Sequence, residues 1–234
     1  GARNLQHCLD LAGVRHVVTS RRLVDRLSML GSDFGAVSER FEHLEKLSEG
    51  ISGAKKLSAA LAARVSWAFL DRLAAKLTGN SHAAILFTSG STGVPKGVVY
   101  SHGNFRAQLE MIRDTFAFSP GEINMPTFPP FALFNPALGM SSIIPDMDAT
   151  KPAFVNPKNI IGPIKQFGIT NMFGSPALID TVGRYGAANG VKLPGLKQVI
   201  SAGAPASTKA LLRFSAMLTP EVQIFTPYGS TESM

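Results

Sequence analysis

From about residue 85 onward, short apolar runs alternate with longer segments of helical period, which predicts an α/β protein. Residues 85–88 (ILFT) read as a buried strand and 98–100 as its return, so the glycine-rich stretch between them is a loop joining two strands. Ser101 then supplies a cap for a helix over 102–116. Asn156 and Pro157 open a helix that Gly168 stops, and 169–173 follows as a strand. Ser175 and Pro176 repeat the cap-then-proline start for a helix running toward Asn189. A strand at 198–202, a helix at about 207–218 and a strand at 222–225 complete the pattern. Strands separated by helices predict a mainly parallel sheet covered on both faces.

The first 80 residues carry a weaker pattern: a helix around 5–12, a strand at 14–18 and a helix at 21–30. Residues 54–77 form a long Ala/Leu-rich amphipathic segment bearing Lys55, Lys56, Arg64, Arg72 and Lys76, with Trp67 and Phe69 among its apolar positions. It reads as a helix packed on the domain with a solvated basic face, and contact with a membrane surface is the alternative.

At 234 residues and 45% hydrophobic content, the chain can bury the core of one large domain or two small ones. No apolar stretch reaches the ~20 residues that span a bilayer. There is no basic-then-apolar leader, and Cys8 is the only cysteine, so no internal disulfide forms; a cytoplasmic protein is expected. The net charge of +7 points to an anionic partner. Nucleic acid is not favoured, because the basic residues are scattered apart from Arg21-Arg22 and Lys55-Lys56 and no aromatic-plus-basic strand signature accompanies them.

The strongest chemical signal is Thr88-Ser89-Gly90-Ser91-Thr92-Gly93-Val94-Pro95-Lys96-Gly97, with four hydroxyls, three glycines and a lysine in ten residues directly after an apolar strand. Such a loop suits phosphate. Glycines let backbone N–H groups converge on an anion, hydroxyls add donors and Lys96 brings a full charge. It is not a Walker loop, because Lys96 lies between Pro95 and Gly97, and no G-x-G-x-x-G dinucleotide fingerprint is present. The histidines His7, His16, His43 and His82 lie apart without metal-ligand spacing, and His102 is at most a supporting residue beside the loop strand.

These ten residues resemble the phosphate-loop signature of the adenylate-forming, AMP-binding superfamily, and two later segments agree in identity and order. Ser201-Ala202-Gly203-Ala204-Pro205 is similar to the superfamily's adenine-lining turn, and Tyr228-Gly229-Ser230-Thr231-Glu232 to its Tyr-Gly-x-Thr-Glu motif. The resemblance implies part of the large N-terminal domain of such an enzyme. Residues 1–80 would begin that domain, 81–234 would form its nucleotide-binding core, and the C-terminal domain would lie outside the chain, leaving the fragment inactive by itself. It further implies ATP and Mg²⁺ as cofactors, with Tyr228 against the adenine, Thr231 donating to the α-phosphate and Glu232 helping to hold the metal. Physical chemistry supports each role: an aromatic face packs on a base, and Mg²⁺ prefers carboxylate oxygen beside phosphates. The implied reaction is attack of a carboxylate on the α-phosphorus of ATP, which needs no general base because the nucleophile is already an anion.

For the acid, the segment 124–148 offers Met125, Phe128, Phe131, Phe134, Gly139 and Met140 among prolines, suited either to an apolar cleft or to core packing. Ala132 follows Phe131 where most of the superfamily has histidine, so that position is not carried over. This segment, with Phe173-Gly174-Ser175-Pro176, resembles the β-lactone synthetase branch of bacterial olefin biosynthesis. That branch implies a long-chain 3-hydroxy acid, lactone closure by the acid's own hydroxyl, acyl contacts at Ser175 and Pro176, and a multienzyme olefin complex. A long-chain acyl-CoA or acyl-AMP ligase carries the same three motifs and remains open, as does a non-catalytic nucleotide- or acyl-binding scaffold.

Overall fold

The computed structural model describes residues 2–65, 76–88 and 93–232, which fall into two compact units, Gly1–Phe105 and Arg106–Met234. The first begins with α1 (Ala2–Leu11) and a parallel pair of short strands, β1 (Val17–Thr19) and β2 (Phe41–His43), with Val17 opposite Phe41. The strand starts later than the 14–18 pattern predicts. Val14 N–H donates to the Leu9 carbonyl at 2.8 Å and the Val14 carbonyl accepts from Arg40 Nη1 at 2.8 Å, so this backbone closes the helix instead of pairing. Ser20 caps α2 (Arg21–Met29) by accepting from Leu23 N–H. The helices α3 (Leu44–Glu49) and α4 (Gly53–Val65) follow; α4 covers the start of the amphipathic segment, and its continuation with Trp67, Phe69 and Arg72 lies outside the described residues.

The hairpin predicted around the glycine-rich loop is present as antiparallel β3 (His82–Thr88) and β4 (Lys96–Ser101), with Thr88 directly opposite Lys96. Then α5 (His102–Phe116) starts as the Ser101 cap predicts: Ser101 Oγ accepts from Asn104 N–H at 3.2 Å, and Asn104 Oδ1 accepts from Ser101 N–H at 2.9 Å. The division between the two units falls within α5.

The second unit is a five-stranded sheet in the order β6-β5-β7-β8-β9, in which every adjacent pair is parallel. Its strands are β5 (Ile123–Pro126), β6 (Ser141–Ser142), β7 (Asn171–Phe173), β8 (Gln198–Ile200) and β9 (Gln223–Phe225). Met125, Met172 and Val199 share one rung and are fully or almost fully buried. They pack with Ile160 and Ile164 of α6 (Lys158–Phe167), Leu178 and Val182 of α7 (Pro176–Ala188) and Phe214 of α8 (Thr208–Ser215). On the other face, Leu109, Ile112 and Phe116 of α5 pack against Phe118, Leu138, Met140 and Ile200, so the sheet is covered on both sides as its apolar strands require. Among the described residues no helix is long and apolar enough to cross a membrane.

Each later element predicted from the sequence forms; the hairpin strands extend beyond 85–88 and 98–100, and the parallel strands shorten to the rungs that find partners. Strands β5 and β6 are additional; they fall at or within the 124–148 segment, read as either cleft lining or core packing, where prolines and short 3-10 turns interrupt the alternation. A close contact between α7 and α8 places Gly186 where an added Cβ would overlap the Met217 thioether. Gly186→Ala is expected to destabilise by about 1–3 kcal/mol in urea unfolding, and by less than the sum of the single effects when combined with Met217→Ala. In the first unit, the Gln6 amide and then the Arg40 guanidinium hold the Asp10 carboxyl below the usual range. A depressed pKa contributes stability above the unfolded-state value that is lost as pH falls through the folded one. Asp10→Asn is therefore expected to flatten the acid side of a Tm-against-pH curve.

Candidate functional site

Parallel strands end at a common edge, and ligands of open α/β sheets bind beyond the carboxyl ends of the strands. The segments following β5, β7, β8 and β9 here are Thr127 to Phe134, Gly174-Ser175-Pro176, Ser201 to Pro205, and Thr226 to Glu232. Backbone pairing continues one residue past the strands and ties these segments together. Thr127 donates from N–H at 3.2 Å and from Oγ1 at 2.9 Å to the Phe173 carbonyl, Gly174 N–H donates to Ile200 at 2.9 Å, and Ser201 N–H donates to Phe225 at 2.8 Å. The sheet therefore brings the later motifs of the sequence, 201–205 and 228–232, to one edge together with Phe128, Phe131, Ser175 and Pro176.

Local chemistry explains each turn. Gly174 is buried where a Cβ would lie 3.1 Å from both Leu178 Cδ2 and Met172 Cε, leaving no room for a side chain. Ser175 accepts from Leu178 N–H at 3.4 Å and caps α7, with Pro176 in the first turn where its missing N–H costs nothing. Gly203 has φ of +95°, which lets the turn after β8 leave Ala204 and Pro205 exposed before Ser207 caps α8. Tyr228 is 95% exposed, a large aromatic face offered to a ligand. Beside it, Gly229 and Glu232 are exposed and Ser230 and Thr231 half-buried. Ser201 Oγ is buried without a hydrogen-bond partner among the described residues.

Phe131 stands edge-on to Phe173 at 4.6 Å and to Phe128 at 5.3 Å, forming an aromatic wall at the same edge. Phe134 is half-buried at the junction of the two 3-10 turns. Gly139 and Met140 stand elsewhere, just before β6 and thus at the amino edge. Gly139, at φ +73°, packs so closely on Pro120 that a Cβ would lie 3.0 Å from it, and Met140 is buried with Phe118 and Leu138. Met125 belongs to the core on the opposite face.

The phosphate-type hairpin belongs to the first unit. Its described stem sets half-buried Thr88 opposite exposed Lys96, and Gly93 has φ of +82° in the turn; Ser89, Gly90, Ser91 and Thr92 lie outside the described residues. Among the described residues no group of three or more His, Cys, Asp and Glu side chains forms a metal centre.

Motif reading missed Asn124, Asn171 and Gln198, three buried amides in register on adjacent strands. Asn171 and Gln198 open their strands and Asn124 is second in its own, so each looks like an ordinary boundary residue; only the register brings them together.

The model of the AMP-binding enzyme family matches residues 1–234. The chain belongs to the AMP-binding enzyme family. Over 152 residues, 65% of the chain, it is 50% identical to an olefin beta-lactone synthetase of Xanthomonas campestris, and over 156 residues, 67% of the chain, 47% identical to one of Stenotrophomonas maltophilia. The matched stretch spans 27% and 28% of those proteins. Among solved structures, the N-terminal domain of FACL13 from Mycobacterium tuberculosis superimposes with TM-score 0.72 at 19% identity, covering 99% of this chain and 55% of that one. McyG A-PCP, complexed with phenylalanyl-adenylate, gives 0.70 at 15% identity, covering 99% of this chain and 36% of that one. At these identities the structures show the α/β fold alone.

Loss of the Ser175 cap tests the local account of this edge: Ser175→Ala is expected to cost about 1 kcal/mol in urea unfolding, whereas Ser175→Asp, which keeps an acceptor, should cost less.

Proposed function

We propose that the protein joins a long-chain 3-hydroxy acid to AMP at the expense of ATP, and that the acid's hydroxyl then closes a β-lactone. The observation that carries this reading is the convergence of the 201–205 and 228–232 segments with the Phe128–Phe131–Phe173 wall on one sheet edge, in a chain half identical over most of its length to an olefin beta-lactone synthetase. The residues present suit the nucleotide: Tyr228 is open to stacking, Gly203 to Pro205 form an exposed turn, Thr231 carries a hydroxyl, and Lys96 is exposed at a hairpin mouth with Thr88. Glu232 is an exposed carboxylate; Mg²⁺, which typically takes one or two protein carboxylates beside substrate phosphates, would be held there and would offset phosphate charge.

In the first step a carboxylate oxygen attacks the α-phosphorus and pyrophosphate leaves. Lys96 in the first unit and the Thr231 hydroxyl in the second are each of the chemistry that offsets the charge building on the phosphates. In the second step, the 3-hydroxyl oxygen attacks the acyl carbon and loses its proton to solvent, the bond from that carbon to the AMP oxygen breaks, and AMP leaves with the electron pair. The aromatic wall accommodates the alkyl portion, with Ser175 and Pro176 at its side. Coenzyme A takes no part, and membership of a multienzyme olefin pathway follows from the same reading.

The test is pyrophosphate release by the full-length protein with ATP, Mg²⁺ and a long-chain 3-hydroxy acid. Release without coenzyme A is expected. Lys96→Ala and Glu232→Ala should each lower kcat/KM by on the order of 10²–10³, with Glu232→Ala the more severe. Release that requires coenzyme A would make the protein an acyl-CoA ligase, and no release with any acid would leave a nucleotide- or acyl-binding module. Parent-level activity in both variants would overturn the site assignment.

A further inference from the structure

None of the motifs marks a small cavity that lies on the sheet of the second unit. Asn124, Asn171 and Gln198 stand side by side on one rung of β5, β7 and β8, and in-register residues of parallel strands share a face. Two residues along the strands, and so on the same face, come Phe173 and Ile200. Together with Phe118 these side chains line a small cavity that admits a group about the size of a single water. Phe173 also stands edge-on to Phe131, so one ring borders both the cavity and the aromatic wall of the carboxyl edge.

The amides are 8%, 3% and 8% exposed, respectively, and two of them are engaged. Asn124 Nδ2 donates to Asn135 Oδ1 at 3.1 Å, and Asn135 in turn donates to Ser142 Oγ at 2.7 Å. Asn171 Nδ2 donates to Glu122 Oε2 at 2.9 Å and Thr170 Oγ1 at 3.1 Å. The Gln198 side chain, by contrast, has no hydrogen-bond partner among the described residues although it is more than nine-tenths buried and lines the cavity. Its amide is not sealed in protein but opens on the cavity, where it is free to bond a polar group that enters.

The chemistry of the rung narrows what that ligand group is. An alkyl end would leave the Gln198 amide unpaired. A carboxylate or phosphate would meet three neutral amides and the Glu122 carboxylate bonded to one of them, while the neighbouring cation, Lys197, is exposed and already paired with Glu122. A hydroxyl is neutral, donates and accepts as an amide does, and matches the space. We propose that Gln198, flanked by Asn124 and Asn171, forms the subsite that recognises a hydroxyl group of the acid substrate. The proposal rests on the adenylation reading above and adds the residue that distinguishes a hydroxylated acid from a plain fatty acid.

The experiment compares kcat/KM for pyrophosphate release by the full-length protein with three acids of equal chain length: unsubstituted, 3-hydroxylated, and hydroxylated further along the chain. The parent should prefer one hydroxylated acid, and Gln198→Met, which keeps the length of the side chain and removes its amide, should reduce that preference by about tenfold, the worth of a hydrogen bond left unmade in a buried site. The ratio between acids cancels any general loss of folded enzyme. Circular dichroism checks folding, and if Gln198→Met does not fold, Gln198→Asn, which withdraws the amide by one methylene, should lower the same ratio. An unchanged ratio in the folded variant, or a parent that prefers neither hydroxylated acid, overturns the subsite while leaving adenylation standing. No pyrophosphate from any of the three acids overturns both.

Discussion

Five strands running in one direction finish their backbone ladders at a single edge, and the candidate site of the second unit depends on that constraint. Each strand is only two to four residues long, yet the pairing of Thr127 with Phe173, Gly174 with Ile200 and Ser201 with Phe225 carries the ladder into the loops. The two later sequence motifs, 201–205 and 228–232, are thereby held on one edge with Gly174-Ser175-Pro176, largely by backbone pairing. An antiparallel sheet would have sent alternate loops to opposite ends. The apolar rung of Met125, Met172 and Val199 anchors this arrangement by packing against α6, α7 and α8, so the core fixes the edge and the edge fixes the site.

The chemistry expected at that edge is positional. A carboxylate nucleophile is already charged and pyrophosphate leaves as an anion, so the protein has to align the reactants and offset phosphate charge; it has no proton to remove in the first step. Within the second unit the residues after β9 suit this: a hydroxyl on Thr231, a carboxylate on Glu232 and the exposed aromatic face of Tyr228. This also accounts for the absence of a nucleophile–histidine pair from the sequence motifs. The amide rung adds a different kind of selection, since a neutral, partly unpaired polar floor discriminates between substrates by hydrogen bonding rather than by charge.

How much was legible in the sequence followed from how local the determining physics is. Capping is local, so Ser101 and Ser175 marked helix starts that the structure reproduces at 102 and 176, and the helix read at about 207–218 starts at 208 behind Ser207. Strand ends are decided by partners, which is why 14–18 moved to Val17–Thr19 once Arg40 claimed the Val14 carbonyl, and why 198–202 contracted to Gln198–Ile200. The segment 124–148 was the hardest to read, because its aromatic and methionine positions serve different ends. Phe128 and Phe131 form a wall at the carboxyl edge, Met125 fills the core, and Gly139 and Met140 pack at the amino edge against Pro120 and Phe118. The amide rung was illegible altogether, since register between strands far apart in sequence is not written at any one of them.

The most direct test of the adenylation chemistry follows oxygen. The full-length protein would be supplied with ATP, Mg²⁺ and an acid carrying ¹⁸O in both carboxylate positions, and the AMP product analysed by mass. If a carboxylate oxygen attacks the α-phosphorus and the acyl group is later removed by attack at its carbon, each AMP retains one labelled oxygen. Unlabelled AMP, or label appearing in inorganic phosphate, would mean that the acid is not activated through an acyl-adenylate and would contradict the account.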